Sequence, residues 1–415
     1  MPEARRVDRP PTALVTDAGR GSAISIIRSL GRKGWCVVAA DQSPTSPGFR
    51  SRYAGQTLVY PSPRASSDDF VAAILAGARH HEVDLVVPVT DDALHPLAAR
   101  RQEFAGVSRL AIAEPDALAR VCNKERTLEL ARALGVPTPR TLSVRTVAEA
   151  ERRAADLTWP VVVKPESSRH YDACSGRLDA CAVSYARDLD QLVAQVRRAD
   201  GRYALLLQEY RGGEGVGVEI LAQDGRPLLA FQHRRLAEVP ITGGASAWRE
   251  SMPLDSELYD YARRLVGALK WTGPIMVEFK GGERPALMEI NGRVWGSMPL
   301  AVMSGVDFPS AWAELCMDPT QSRDMPPPTY EIGVRAYDLD HLLLWIGNVL
   351  LGRRRFAFLP VPPRRAAFRA LAALASRSQR WDFASRDDPG PALAELRRIP
   401  ARFARRLLGR TANDG

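Results

Sequence analysis

Three polar side chains of complementary chemistry alternate along one short segment of the sequence. They are Glu289, Asn291 and Arg293, in the run 288–297. Side chains two residues apart point to the same face of an extended strand, so this face would carry two oxygen ligands beside a permanent cation. Mg²⁺ prefers such oxygen ligands shared with substrate phosphates. The pattern indicates a site for Mg²⁺ and a phosphate chain, although a solvated sheet face can show it by chance.

A second carboxylate, Glu278, precedes this segment. The β-rich runs 275–280 and 288–293 flank a connection that contains Gly281 and Gly282, which is typical of a hairpin. Pairing of the two strands would bring Glu278 near Glu289. The hairpin therefore predicts a pair of carboxylates at the metal position.

Lysine is rare in this chain, with five among the 57 basic residues. Lys164 ends the β-branched run 159–165, where an ammonium is unusual unless it meets a fixed anion. Lys124 opens a helix that ends near Gly135. Because a compact ammonium and a forked guanidinium bind different groups, each of these lysines is a candidate for a specific contact, and a solvated helix-start lysine is the alternative for Lys124.

Two segments resemble signatures of the ATP-grasp superfamily, whose members include D-alanine–D-alanine ligase, biotin carboxylase and carbamoyl phosphate synthetase. They are PVVVKP at 160–165, and VEF at 277–279 followed by MEINGR at 288–293. The resemblance implies that Glu278, Glu289 and Asn291 hold Mg²⁺ or Mn²⁺. It also implies that Arg293 lies near the γ-phosphate or an acyl phosphate.

The same resemblance implies how ATP is held. It covers about residues 12–320 and includes a strand-to-turn hinge, 205–215, suited to adenine. Glu214 is the preferred ribose ligand and Glu219 the fallback. The segment 166–176 should cover the phosphates, although it has fewer glycines than the family pattern. The expected nucleotide contacts are Lys124, Lys164, Gln208, Glu209, Tyr210 and Glu214.

A strand with a cationic tip, 228–236, precedes the glycine-rich loop 240–246, which offers donors for an anion. The pair FQHRRL and TGGAS resembles a bacterial carboxylate–amine ligase-like branch of ATP-grasp proteins whose substrates are mostly unassigned. We expect Arg235, with Arg293, to neutralise a transferred phosphoryl group. Alternation along the strand from His233 favours Arg235 over Arg234 as the arginine that faces the site. His233 either assists this phosphoryl contact or is a hydrogen-bonded structural residue.

The first hundred residues alternate strands and helices, which predicts a parallel sheet. Gly19 and Gly21 lack the third glycine of a dinucleotide motif, because Ile24 stands in its place, so a structural turn is favoured over nicotinamide binding. The predicted fold is α/β, in three parts. They are a Rossmann-like pre-ATP-grasp domain, 1–115; a two-lobed α+β ATP-grasp domain, 116–320; and a basic, proline-broken helical C-terminal extension, 321–415.

Composition is that of an ordinary soluble protein, with 45% hydrophobic and 25% charged residues among 415. Five cysteines without a C-x-x-C pair favour a reduced compartment and no structural zinc. The polar run 1–11 is not typical of a signal peptide, and the apolar stretch 342–351 is about half of what a bilayer requires. These features predict a cytoplasmic protein.

The net charge of +9 belongs to the end of the chain, because residues 341–415 contain 15 arginines, no lysine and five acidic residues. One interpretation is adsorption to an anionic surface at the inner membrane face, or to an acidic partner. The other is packing on the catalytic body with a solvated basic face. Nucleic acid is disfavoured, and a homodimer is left open. Two helical apolar stripes accompany the arginines: Phe368, Leu371, Leu374 and Ala375, then Leu396, Ile399, Phe403 and Leu407, interrupted by Pro400.

Together these features predict an ATP-dependent ligase that joins a small-molecule carboxylate to an amine through an acyl phosphate. A protein nucleophile is not expected, because such a site acts by positioning phosphates and neutralising charge. Two alternatives are a non-catalytic ATP sensor or scaffold, and a peripheral membrane protein that acts through its basic tail. The sequence does not identify either substrate.

Overall fold

The computed structural model describes residues 9–167, 169–172, 177–180, 183–199, 202–320, 329–352, 358–376 and 378–411. The predicted phosphate-covering segment 166–176 lies partly outside these residues. The described residues form two compact units. The first takes them from Met1–Ile112, Asp307–Ser322 and Trp381–Gly415, and the second from Ala113–Val306 and Arg323–Arg380.

Strands and helices are numbered in chain order. The strands are β1 (Thr12–Val15), β2 (Cys36–Asp41), β3 (Gln56–Val59), β4 (Leu85–Val87), β5 (Arg109–Leu110), β6 (Thr141–Val144), β7 (Val161–Pro165), β8 (Arg169–Asp172), β9 (Arg177–Ala180), β10 (Ser184–Ala186), β11 (Leu205–Glu209), β12 (Gly215–Gln223), β13 (Arg226–Val239), β14 (Ala245–Met252), β15 (Gly273–Lys280), β16 (Ala286–Asn291), β17 (Arg335–Tyr337) and β18 (Gln379–Trp381). The helices are α1 (Gly21–Arg32), α2 (Ser67–His80), α3 (Asp91–Ala99), α4 (Pro115–Cys122), α5 (Lys124–Ala133), α6 (Val147–Ala154), α7 (Leu189–Ala199), α8 (Ser256–Ala268), α9 (Met298–Met303), α10 (Phe308–Met317), α11 (Leu339–Leu351), α12 (Arg364–Leu374) and α13 (Gly390–Thr411).

The first unit contains a five-stranded sheet in the order β3-β2-β1-β4-β5. Its pairs are parallel, so the predicted parallel sheet is confirmed. Buried apolar residues of strands and helices form its core, among them Leu14, Val38, Phe70 and Ile74. Because strands of a parallel sheet are covered on both faces, they read as continuous apolar runs in the sequence.

The turn between β1 and α1 is occupied by the protein's own side chains. The Gly19 N–H donates to the Asp41 carboxylate at 2.7 Å. A Cβ added at Gly21 would lie 3.0 Å from the Asp382 Cβ, so a larger residue there would crowd its neighbour. These contacts give the Gly19–Gly21 turn a structural role.

The second unit contains three antiparallel sheets, in the orders β10-β7-β11-β6, β16-β15-β12-β13-β14-β17-β18 and β8-β9. The predicted hairpin is β15 and β16, and Glu278 lies directly opposite Glu289 in its register. The expected pairing of these two carboxylates is therefore confirmed. Side chains alternate between the two faces of a strand with a period of two residues. The register of the hairpin therefore determines that these two carboxylates share a face.

The predicted C-terminal extension is divided between the two units. Helices α11 and α12 belong to the second unit, whereas α13 belongs to the first. The predicted interruption at Pro400 is wrong, because α13 continues through it. A proline inside a helix costs one backbone hydrogen bond, and here the flanking turns retain the helical conformation. None of the described helices is long and apolar enough to cross a membrane.

The first predicted apolar stripe does not form the buried face of its helix. Phe368 and Leu371 are 62% and 42% exposed, and α12 instead buries Ala367 and Ala370. In the second stripe, Leu396 of α13 is 48% exposed, and the side chains of Phe403 and Leu407 lie outside the described part of the chain. Small alanines allow α12 to pack closely on its neighbours, which leaves the larger side chains outside.

Two arginines of α1 fasten the segment before α13, and they differ in burial. Arg28 Nε lies 2.9 Å from Asp388 Oδ2, and both side chains are 5% exposed or less. Arg32 Nη2 lies 2.9 Å from Asp387 Oδ1, and both are about 40% exposed. Removing Arg28 would leave the buried Asp388 carboxylate without its cation, whereas Asp387 is exposed to water if Arg32 is removed.

We therefore expect Arg28→Met to destabilise the first unit by about 3–5 kcal/mol, the cost of breaking a buried ion pair. The matched variant Arg32→Met should cost under about 1 kcal/mol, because its pair is exposed. Urea unfolding followed by hydrogen exchange of the β1 and β2 amides reports on this unit separately. Equal losses of stability in the two variants would contradict the expected difference between the buried and the exposed ion pair.

Candidate active site

The β15–β16 hairpin brings three oxygen-bearing side chains to one face. Glu278 and Glu289 are cross-strand partners. The Asn291 Nδ2 donates to Glu278 Oε1 at 2.9 Å, so this hydrogen bond does not use the amide oxygen of Asn291. A Cβ at Gly292 would lie 2.5 Å from the Trp271 ring, so glycine is needed where the chain turns away after Asn291.

Arg235 reaches this hairpin from β13. Its Nη2 lies 2.6 Å from Glu278 Oε1, and its side chain is 9% exposed. Arg234 points elsewhere, because its Nε donates to Glu250 at 2.8 Å. Strand alternation therefore places Arg235 at the hairpin, as expected. Burial opposes the charge of Arg235, but Glu278 and Glu238 outweigh it and raise the pKa of Arg235.

The first predicted lysine also reaches the hairpin. Lys124 is 7% exposed, and its Nζ lies 3.3 Å from Glu289 Oε1. It is the first residue of α5, where the Asn123 side chain accepts a hydrogen bond from the Arg126 N–H and caps the helix. The Lys124 N–H donates to the Glu166 carbonyl at 2.7 Å, which ties the start of α5 to the end of β7.

Lys164, in β7, is placed differently. Within the described part of the chain, no carboxylate forms an ion pair with it. Burial lowers the pKa of Lys164, Glu289 opposes that change, and Lys124 adds to it. A partly buried ammonium next to a second cation is stabilised when an anion is bound.

Glu289 is held ionised by its neighbours. Burial favours its neutral form, but Lys124, Lys164 and Arg293 together outweigh burial and lower the pKa of Glu289. Arg293 follows the turn after β16, and its Nη1 donates to the Val294 carbonyl at 2.9 Å. The two lysines, Arg293 and Glu289 thus form one electrostatic group.

The hinge residues lie at the end of β11. Gln208 is 1% exposed, and its Nε2 donates to Thr141 Oγ1 at 3.0 Å. Its Oε1 is buried and has no hydrogen-bond partner among the described residues. Glu209 and Tyr210 are partly buried at the strand end, and burial raises the pKa of Tyr210. Lys164 pairs with Leu206, two residues before Gln208, so Lys164 and Gln208 share a face.

The two candidate ribose ligands occupy different environments. Glu214 is 43% exposed, and Arg234 Nη1 lies 3.8 Å from its carboxylate. Glu219 is fully buried, with its Oε1 2.6 Å from His233 Nδ1. Only Glu214 is therefore open to a solvent-facing ligand.

Sequence reasoning did not predict the contact between Glu219 and His233. Burial raises the pKa of Glu219 well above its ordinary value and lowers the pKa of His233 well below its own. Both changes favour an uncharged carboxylic acid beside an uncharged imidazole. A Cβ at Gly217 would lie 2.5 Å from His233 Cε1, so glycine at this position makes the contact possible. The sequence signal that could have indicated this contact was the two-residue spacing of Gly217 and Glu219, which places them on one face of a strand.

Glu238 and Lys280 were not predicted as site residues either. The Glu238 carboxylate lies 3.2 Å from Arg235 Nη1 and 3.1 Å from Lys280 Nζ. It therefore fixes the second edge of the Arg235 guanidinium. The three-residue spacing of Arg235 and Glu238 gave no signal, since strand neighbours three apart ordinarily point to opposite faces.

These residues fit a divalent cation that is shared with a ligand. Neither here nor anywhere else in the described part of the chain do three or more His, Cys, Asp or Glu side chains converge on a metal position. Two carboxylates and one amide supply only part of an octahedral shell, and Mg²⁺ ordinarily completes its shell with water and substrate phosphates. The donor set therefore suits Mg²⁺ or Mn²⁺ bound together with a phosphate chain.

Comparisons with known proteins agree with this geometry. Residues 202–338 match the family model described as ATP-grasp in the biosynthetic pathway with Ter operon. An arginine-specific carbamoyl phosphate synthase large chain from Neurospora crassa is 24% identical over 345 residues, which are 76% of this chain and 28% of that protein. The chain spans 19% to 38% of the length of the curated relatives that it matches.

Solved structures show the same fold. An L-amino acid ligase from Bacillus licheniformis has a TM-score of 0.55 at 15% identity, covering 76% of this chain and 75% of that one. N5-carboxyaminoimidazole synthetase from Staphylococcus aureus, complexed with ADP, has a TM-score of 0.59 at 12% identity, covering 80% and 82%. The chain therefore shares its fold with these two proteins, and its residues 202–338 match an ATP-grasp family model.

The buried contact between Glu219 and His233 depends on the absence of a side chain at Gly217. We expect Gly217→Ala to destabilise the second unit by about 1–3 kcal/mol, the usual cost of overpacking a filled core. Gly296→Ala is the matched control, because a Cβ there meets nothing within 4 Å. It should change stability by about 0.5 kcal/mol or less. Hydrogen exchange of the β12 and β13 amides measures the stability of both variants. Equal protection in the two variants would contradict the steric conflict expected at Gly217.

Proposed function

We propose that this protein is an ATP-dependent ligase that joins a carboxylate to an amine through an acyl phosphate. The observation that carries the proposal is Lys164, a partly buried cation that forms no ion pair with a carboxylate among the described residues and that Glu289 and Glu278 influence electrostatically. A phosphate chain supplies the missing anion. An ATP-grasp fold with these donors is suited to phosphoryl transfer.

ATP is the substrate that this charge distribution fits. Lys124 and Lys164 would contact its phosphates. Gln208 would accept from the adenine amino group through its unpartnered Oε1. The Staphylococcus aureus neighbour with bound ADP supports a nucleotide in this fold. The remaining expected contacts are the backbone at Glu209 and Tyr210 for adenine, and the Glu214 carboxylate for the ribose.

Glu278, Glu289 and Asn291 would hold Mg²⁺ or Mn²⁺. The cation would neutralise phosphate charge when it is bound together with ATP. Arg235 is already oriented by Glu278 and Glu238 at 2.6 and 3.2 Å, so little reorganisation is needed for its guanidinium to face a phosphoryl group. Arg293 adds a second cation on the same side.

The reaction would proceed in two displacements. An oxygen of the substrate carboxylate attacks the γ-phosphorus, the bond to the β–γ bridging oxygen breaks, and ADP leaves. The amine nitrogen then attacks the acyl carbon, the bond between that carbon and the phosphate oxygen breaks, and phosphate leaves as the nitrogen loses a proton. Arg235 and Arg293 stabilise the charge on the transferred group in both steps, and no side chain becomes covalently modified.

A hydroxylamine trap tests this function. The protein receives Mg-ATP, hydroxylamine and pools of carboxylates that include amino acids. We expect carboxylate-dependent hydroxamate and ADP, with at least about 100-fold less product from Lys164→Ala and Asn291→Ala because charge stabilisation is lost. Lys33→Ala, an exposed lysine in the first unit, should retain activity.

The outcomes separate the two nucleotide-dependent functions. Binding of Mg-ATP with no product from any pool would favour a nucleotide sensor over a ligase. Absence of Mg-ATP binding would contradict the whole assignment of Glu289, Asn291 and Lys164.

Mg-ATP affinity should also depend on pH through Lys164. Its lowered pKa means that it loses its charge at a lower pH than an ordinary lysine, so affinity should fall as pH rises through that value. Lys164→Arg keeps its charge throughout and should flatten the profile. Calorimetry at several pH values, in buffers of different ionisation enthalpy, measures the affinity and the proton uptake. Parallel profiles for the two proteins would show that Lys164 does not titrate on binding.

A further inference from the structure

The segment 341–380 has an extreme charge composition. It contains eight arginines and neither Asp nor Glu, whereas the whole chain has 57 basic and 48 acidic residues. It supplies most of α11 and all of α12, both in the second unit. The segment therefore has a formal charge of +8 with no acidic residue of its own, and Arg380 near its end lies 3.2 Å from Glu331 Oε2.

Helices α11 and α12 pack on each other through a small apolar core. Leu342, Trp345 and Val349 of α11 are buried together with Ala367 and Ala370 of α12. Asp338 caps α11, because its carboxylate accepts the His341 N–H at 2.9 Å. The pair of helices is therefore a built part of the second unit.

Large apolar and basic side chains of these two helices are exposed. Leu351 is 90% exposed, Phe368 62% and Leu371 42%. Phe368 and Leu371 lie four and seven residues after Arg364, so these three side chains share one stripe of the helix. Arg365 and Arg369 are exposed beside that stripe. We call this surface the α11–α12 face: Leu351, Arg364, Arg365, Phe368, Arg369 and Leu371.

The other arginine-rich helix, α13, is built differently. Its Glu395 is 3% exposed, and Asp388 just before the helix is bound by Arg28. Acidic residues thus anchor the start of α13 within the first unit. Its exposed leucines, Leu393 and Leu396, provide a comparison surface in the same chain.

We propose that the α11–α12 face binds an anionic lipid surface. Arg364, Arg365 and Arg369 contact headgroup phosphates, which match the forked guanidinium, while Phe368 and Leu371 enter the boundary between headgroups and acyl chains. Charge complementarity and exposed large apolar side chains on one stripe both favour this partner. An acidic protein or a nucleic acid would use the arginines but gives no role to Phe368 and Leu371 on the same stripe.

The geometry places these helices on the surface of a bilayer. Helix α11 has 13 residues and is about 20 Å long, short of the roughly 30 Å of a hydrocarbon core. The inference is independent of the ligase reaction, because none of its residues belongs to the candidate active site.

Sedimentation of the full-length protein with lipid vesicles tests the proposal. Vesicles are made either of phosphatidylcholine alone or of phosphatidylcholine and phosphatidylglycerol in equal amounts. We expect binding only to the anionic vesicles, with weakening as salt is added. The double variant Phe368→Ser with Leu371→Ser should reduce partitioning by about tenfold or more. The matched control, Leu393→Ser with Leu396→Ser in α13, should bind like the wild type.

Several outcomes would overturn the proposal. They are absence of wild-type binding to anionic vesicles, unchanged binding by the Phe368 and Leu371 variant, and loss of binding only in the α13 control. The second outcome would indicate charge attraction without insertion, and the third would move the contact to α13. All substituted residues are exposed, and thermal unfolding together with Mg-ATP binding verifies that each variant is folded.

Discussion

The second unit depends on holding several charges of both signs in a partly buried cluster around the β15–β16 hairpin. Burial penalises every one of these charges, so each carboxylate is matched to a cation: Glu278 to Arg235 and Glu289 to Lys124. Lys164 is left without such a partner among the described residues. Glu289 and Lys124 both contribute to the electrostatics of Lys164, so these three side chains form one coupled group.

A second, fully buried pair lies beside this charged cluster. Glu219 and His233 are adjacent to Arg235 on the same sheet, and burial shifts the pKa of each toward its uncharged form. Gly217 supplies the space that their contact requires.

In the first unit, an ion pair joins two segments that are distant in sequence. Arg28 and Asp388 are 360 residues apart in sequence and form a buried pair that also includes the Ser51 hydroxyl and the Arg52 N–H. The donors to the Asp388 carboxylate among the described residues are the Arg28 and Ser51 side chains and the Arg52 N–H. Lys164 differs, because it is partly buried and forms no ion pair with a carboxylate in the described part of the chain.

The sequence by itself determined what depends on short-range periodicity. The parallel sheet, the hairpin, the Glu278–Glu289 pairing and the choice of Arg235 over Arg234 all follow from side chains that alternate along strands. Only the tertiary structure decided which distant groups meet: Lys124 with Glu289, Glu219 with His233, and Arg235 with Glu238. It also placed α13 in the first unit and turned Phe368 outward, because alanines let α12 pack more closely than its larger side chains do. A periodic pattern identifies a face, but sheet order and packing distance decide what that face contacts.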